Sequence, residues 1–218
     1  MDRDDVIDIT DFDVIGWIKS EMRMMLDEEI ARAALVGDGR LASDDDKISE
    51  DHIRPIYNDA DLYTIKVRIA VAKGASDDVK AKAFIKSVLK ERKNYKGSGN
   101  PTLYCTEDAL SSMLLLEDGI GHFMYPNQAV LATTLRVNEI ITVPVMDGVK
   151  NAESLPLWGI IVNLSDYNIG ADKGGAVNMF DDFDIDYNQM KYLIETRCSG
   201  ALIKPYSAMA MFIEEATA

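Results

Sequence analysis

Two cysteines and two histidines in 218 residues leave little room for several kinds of chemistry. Cys105 and Cys198 stand far apart, each in a strand-like run and without a C-x-x-C neighbour. A disulfide scaffold is excluded by that count, and two small buried thiols in a reducing compartment are the expectation. His52 and His122 are isolated, with no ligand-type residue at i+3 or i+4, so a zinc site finds no donors. No apolar run approaches the ~20 residues that a membrane span needs, and the opening residues lack the basic and apolar blocks of a secretory leader, so the reading is a cytosolic chain. Basic charge is scarce: 23 Lys and Arg against 37 Asp and Glu give a net charge of −14. That balance opposes a nonspecific nucleic-acid coat, which needs clustered cations to neutralise phosphate.

Motifs of catalysis are missing as well. There is no G-x-S-x-G, and Cys105 with His122 is only a pair of residue types. The loop Gly170-Ala171-Asp172-Lys173-Gly174-Gly175 is Gly-rich but lacks the spacing of a phosphate cradle. Asp182, Asp184 and Asp186 give D-x-D-x-D, yet Tyr187 and Leu193 stand where a calcium loop needs Gly and Glu. Alternation instead predicts three carboxylates on the solvent side of a strand, with Phe183 and Ile185 opposite. No catalytic, cofactor or metal residues are assigned.

What the chain does have is a long amphipathic helix between Asp11 and Gly39. Val14, Ile15, Ile18, Met22, Met25, Leu26, Ala33 and Ala34 form its predicted buried stripe. Thr10 and Asp13 suit an N-terminal capping box, and Gly37-Asp38-Gly39 supplies the stop. At about 1.5 Å per residue, residues 13–36 make a rod of roughly 36 Å. Lys19, Arg23, Asp27, Glu28 and Arg32 mark the opposite face.

Around the rod, an acidic loop runs from Leu41 to Lys47, and strands are predicted at 62–72, 102–105, 140–145, 157–164, 190–203 and 208–213. Helices are predicted at 77–93, capped by Ser76, and from Glu107 to Glu117, capped by Thr106. The segment from Ala176 to Asp186 reads as extended, and Asp147-Gly148 reads as a turn. With 47% apolar and 28% charged residues, this is a globular α+β chain.

Taken in order, these stretches resemble the major capsid proteins of tailed bacteriophages, the Hong Kong 97-type fold family. The helix ending in Leu35-Val36-Gly37-Asp38-Gly39 is similar to that family's spine helix. Thr102-Leu103-Tyr104, the helix to Leu116, and Glu117-Asp118-Gly119-Ile120-Gly121-His122-Phe123-Met124-Tyr125 resemble its strand, helix and following loop pattern. Val143-Pro144-Val145, then Phe180-Asp181-Asp182-Phe183, Glu195-Thr196-Arg197 and Lys204-Pro205, follow in the family's order.

The resemblance implies a peripheral domain (residues 1–72, with the spine helix at 11–37, and 175–218) and an axial domain (73–174). It implies a structural protein, not an enzyme, without cofactors. Copies would assemble into pentamers and hexamers of an icosahedral head around double-stranded DNA, with scaffold, portal and decoration proteins as further partners. Synthesis would be in the bacterial host cytoplasm and the destination the virion, without a membrane. Complete members carry an arm and an extended loop before the spine helix. The short strand-like Val6–Ile9 has no partner upstream, so the expectation is the core of a longer protein. No crosslinking residues are carried over. Lys19, Arg23, Glu28 and Arg32 are the first expected interface residues. Competing readings are an encapsulin-type nanocompartment shell, a plain scaffold or decoration protein, and an acidic metal-dependent enzyme using Asp182, Asp184 and Asp186.

Overall fold

The computed structural model describes residues 14–41, 43–172 and 177–216. Helix α1 (Val14–Val36) is followed by a 3-10 turn at Ile56–Asn58, strand β1 (Thr64–Val71) and helix α2 (Asp77–Glu91). Next come β2 (Thr102–Cys105), α3 (Glu107–Leu114), α4 (Gln128–Leu135), β3 (Ile140–Thr142) and β4 (Leu157–Val162). The chain closes with β5 (Tyr167–Ala171), β6 (Asn178–Asp184), β7 (Gln189–Glu195), β8 (Cys198–Leu202) and β9 (Ala208–Glu215). The predicted cap at Thr10 and the strand-like Val6–Ile9 lie outside the described residues.

Five strands form a mixed sheet in the order β1-β9-β4-β2-β3, with β1 parallel to β9 and β2 parallel to β3. It draws strands from residues 64–71, 102–162 and 208–215 alike. Both faces are covered, and the side-chain alternation of β9 shows how. Met209, Met211 and Ile213 point to a core shared with Phe84, Ile85 and Val88 of α2, Leu110 and Met113 of α3, and Leu131 and Leu135 of α4. Ala208, Ala210 and Phe212 point to the other side, where Leu35 and Val36 from the end of α1, Ile56, Met146 and Leu202 close a second core. In β4 a bulge between Leu157 and Gly159 shifts the alternation, so that Leu157 and Ile160 share one face.

At Gly159 the side chain of Phe84 from α2 packs directly on the sheet. A Cβ there would stand 3.0 Å from both Phe84 Cζ and Leu103 Cδ1. We expect Gly159→Ala to lower unfolding free energy by about 1–3 kcal/mol, the usual cost of overpacking. Urea denaturation checks this, and an unchanged midpoint would mean that the helix moves aside freely.

The Gly37-Asp38-Gly39 stop works as expected: Gly37 and Gly39 have φ of +77° and +71°, and the Gly37 amide still reaches the Ala33 carbonyl. Several other expectations need correction. Ser76 sits at the start of α2, but its side chain makes no capping hydrogen bond. The predicted helix to Glu117 ends at Leu114, because Leu116 turns into the core and its carbonyl accepts from the Met124 amide. Strand 140–145 stops at Thr142; Pro144 lacks an amide and opens a 3-10 turn. Strand 157–164 stops at Val162, since Asn163 caps another such turn through Ser165. The single strand expected over 190–203 is two. β7 pairs with β6 as a hairpin, and β8 leaves to pair with β5, with His52–Arg54 alongside. Gly200 permits that second pairing, because a Cβ there would collide with the ring of Tyr167.

Candidate assembly surfaces

Helix α1 is buried most deeply at its C-terminal end. Ala33, Leu35 and Val36 are buried, whereas Trp17 and Met24 are about half exposed and Met25 is 63% exposed. The predicted stripe therefore holds for Val14, Ile15, Ile18, Met22, Leu26 and Ala34, which are partly covered, and fails at Met25. Of the residues expected on the outer face, Arg23, Asp27 and Glu28 do face solvent, together with Met24, around a shallow depression of about 510 Å³. Lys19 instead lies over the ring of Tyr192 on β7, its Nζ 5.6 Å from the centroid. Arg32 is half-buried and reaches the Gly39 backbone.

The C-terminal end is held by Asp38. Its buried carboxylate accepts from the Ile48 amide at 2.7 Å, the Lys47 Nζ at 2.8 Å and the Arg40 amide at 3.2 Å. Burial alone would raise the Asp38 pKa, but the Lys47 ammonium and these amides outweigh it and hold the acid below its ordinary value. A similar clasp forms at Asp166, which accepts from the Ser98 amide at 2.5 Å and hydroxyl at 2.6 Å and pairs with Lys204 at 3.3 Å.

Two further apolar surfaces were not read from the sequence. The β6–β7 hairpin exposes Phe180 and Leu193, and its tip carries Ile185 at 82% exposure beside Tyr187. The loop after α3 exposes Ile120, Phe123 and Met124. That loop forms a hydrogen-bonded turn: Asp118 accepts from the Ile120 and His122 amides, and Glu117 bridges to Phe123. The signal available in the sequence was apolar residues inside otherwise turn-forming stretches, such as Ile120 between Gly119 and Gly121. Contiguous apolar exposure of this kind marks interaction surfaces.

Asp182 and Asp184 share one face of β6, opposite Phe183, as expected, but Asp186 does not continue the row. Strand β6 ends at Asp184, which is largely covered and paired with Lys191; Asp182 is exposed, and Asp186 lies in the turn, where its amide donates to Asp184. Phe183 and Ile185, expected on a covered side, are both exposed: α1 reaches that face of the hairpin at Tyr192, while Phe183 lies nearer the tip and Ile185 in the turn beyond the strand. Among the described residues no three His, Cys, Asp or Glu side chains are grouped as a metal ion would require. Cys105 is buried, and its thiol is pushed up to about 12 by that burial and by Glu107. His122 is on the exposed loop, 3.6 Å from Asp118. His52 is exposed, and its backbone carbonyl accepts from Gly200. The Gly-rich stretch continues past Asp172 into residues outside those described. No described helix is long and apolar enough to cross a membrane.

No protein-family model matches the sequence. No curated protein matches it by sequence either. Solved structures do match the fold. The capsid of the empty GTA particle aligns over 97% of this chain and 69% of its own, with a TM-score of 0.66 at 13% identity. A chain from Mycobacterium phage Cain aligns over 100% of this chain and 70% of its own, with a TM-score of 0.61 at 11% identity. The mature capsid of bacteriophage PhiM1 aligns over 100% and 69%, with a TM-score of 0.53 at 11% identity. These alignments take in nearly all of this chain and about seven-tenths of the solved ones, and at such low identity they speak for the fold. The chain has the α+β, Hong Kong 97-type fold of tailed-phage major capsid proteins.

Proposed function

We propose that this protein is a structural capsid subunit whose copies assemble into the pentamers and hexamers of an icosahedral head enclosing double-stranded DNA. The observation that carries this reading is a fold likeness to capsid chains that spans 97–100% of this chain. The exposed apolar surfaces of α1, of the β6–β7 hairpin and of the loop after α3 support it, because all three suit contact with neighbouring copies. In this reading α1 and the β6–β7 hairpin belong to a peripheral part, and α2–α4 with the middle strands belong to an axial part. The outward residues Arg23 and Glu28 of α1 are contact residues, and the role is structural, with no reaction catalysed. The net charge of −14 suits a wall that must not adhere to the genome it surrounds.

Negative-stain electron microscopy of the full-length gene product, made with any scaffold partner, tests the proposal. Uniform closed shells, or rings of five and six, are the expected result. Dispersed small particles at high protein concentration would overturn it.

A further inference from the structure

Helix α2 carries a basic face that the described residues leave unmatched. Lys82, Lys86 and Lys90 recur every fourth residue, Lys93 continues the row into the following turn, and all four are exposed. At about 100° per residue the first three span roughly 80° of the helix surface. Val79 and Leu89, 48% and 42% exposed, lie along the same strip. Among the described residues none of these lysines has an ion pair or hydrogen-bond partner. In a chain with 37 acidic residues, that is an unusual omission.

The complement lies at the other end of the same helix. A groove of about 590 Å³ opens between the start of α2, helix α3, the turn at Pro144–Met146 and the start of β4. Leu115, Val149, Pro156 and Trp158 give it apolar walls, and Asp77, Asp108 and Asp147 stand on its rim. Among the described residues no lysine or arginine lines it. Asp108 and Asp147 have no cationic partner among the described residues. The nearest cation to Asp77 is Lys80 at 3.9 Å, which stands closer to Glu215 at 3.3 Å. A lysine stem packs on apolar wall while its ammonium reaches a carboxylate, which is what such a groove accepts.

We propose that the lysine face of α2 on one copy seats in the acidic groove of a neighbouring copy. The inference rests on the shell-subunit reading and supplies one of its contacts. The two patches differ, so the contact is heterologous and repeats head to tail, the arrangement from which rings are built. Fifteen residues of helix, about 22 Å, separate Asp77 at the start of α2 from its far end, just before Lys93. One copy can therefore give its lysines to one neighbour and its groove to the other. Nucleic acid would meet the lysines but not the rim of carboxylates or the apolar walls, so a second copy fits both patches together.

A charge swap tests this by sedimentation velocity and electron microscopy at about 0.1 M salt, where screening is moderate. K86E/K90E and D108K/D147K should each lower the assembled fraction at least tenfold. D147K alone, outside any helix, should do so in part, and circular dichroism confirms that each variant is folded. An equimolar mixture of the two double variants should recover association, because the lysines of one meet the intact groove of the other; a folding defect would not be rescued. Wild-type assembly in both variants, or a mixture of folded variants that stays dispersed, overturns the proposal. So do K86E/K90E shells of normal yield that hold less DNA, which would assign the lysines to nucleic acid. Wild-type protein that forms salt-sensitive dimers or strings but no closed particle would remove the shell reading and keep this contact. Monomers at every concentration would remove both.

Discussion

Phe84→Ala should cost about 3–5 kcal/mol of unfolding free energy, the range for removing a large aromatic from a packed core. Phe84 is fully buried between α2 and the sheet, with its ring 6.0 Å from that of Trp158 and its tip against Gly159. Ala81, Ile85 and Val88 on the same helix are buried around it, and none can swing into the space, because each already packs in the same core. In a domain of this size each kcal/mol moves the melting temperature by about 2–4 °C, so a drop on the order of 10 °C is expected in calorimetry. Urea denaturation should show the same loss with an unchanged slope. The Gly159→Ala cost arises in part against the same ring, so the double variant should be less destabilised than the sum of the two singles. A loss below about 1 kcal/mol for Phe84→Ala would contradict the packing of α2 on the sheet.

The parts of this fold that sequence revealed are those whose causes are local. β2 occupies the expected 102–105 because Pro101 precedes it and Thr106, whose hydroxyl accepts from the Ala109 amide, starts a helix directly after it. The end of α1 is fixed by two glycines with positive φ. What escaped depends on partners distant in sequence. Helix α4 was not anticipated, since Val130, Thr133 and Thr134 are β-branched and weaken the helical signal. In the structure Asn127 caps it and both threonine hydroxyls donate to carbonyls one turn back. Alternation continues through β7 and into β8, so a period of two could not show that the chain changes sheets near Arg197. The same limit applies to surfaces. Periodicity put Met25 on the buried side of α1 and Phe183 on the covered side of β6, yet Met25 is 63% exposed and Phe183 37%. A strand or helix face is buried only if the fold supplies a cover, and for these faces the shell reading supplies it from another copy. The acidic groove was likewise invisible, because Asp77, Asp108 and Asp147 are brought together by three separate segments.

Asp166→Ala should cost about 2–4 kcal/mol at neutral pH, since it removes the charged acceptor of several donors at once. Its carboxylate is almost completely buried, yet it joins three parts of the chain. Ser98 lies in the loop before β2, Asp166 follows β4, and Lys204 lies between β8 and β9. Lys204 also contacts the Ser98 hydroxyl, and the Asn163 side chain donates to the Ser98 carbonyl at 2.8 Å, so the loop is fixed from two sides. Burial by itself would raise the pKa of Asp166. The Ser98 hydroxyl and amide and the Lys204 ammonium together outweigh it and hold the acid below its ordinary value. The unfolded chain, with an ordinary aspartate near 3.9, takes up its proton at higher pH than the folded chain does. The stabilisation is thus fully present above about pH 5 and is lost as pH falls through the lowered folded value. Wild type and Asp166→Ala should differ by a constant amount from about pH 5 to 8 and converge below pH 4. Asp38, held low in the same way, stays in both proteins, so acid sensitivity is reduced in the variant but not abolished. Urea midpoints measured at intervals between pH 3 and 8 check this. A difference that stays constant down to pH 3 would mean that Asp166 acts by shape alone, and that the loop carrying Ser98 is held by the Asn163 contact and not by the buried charge.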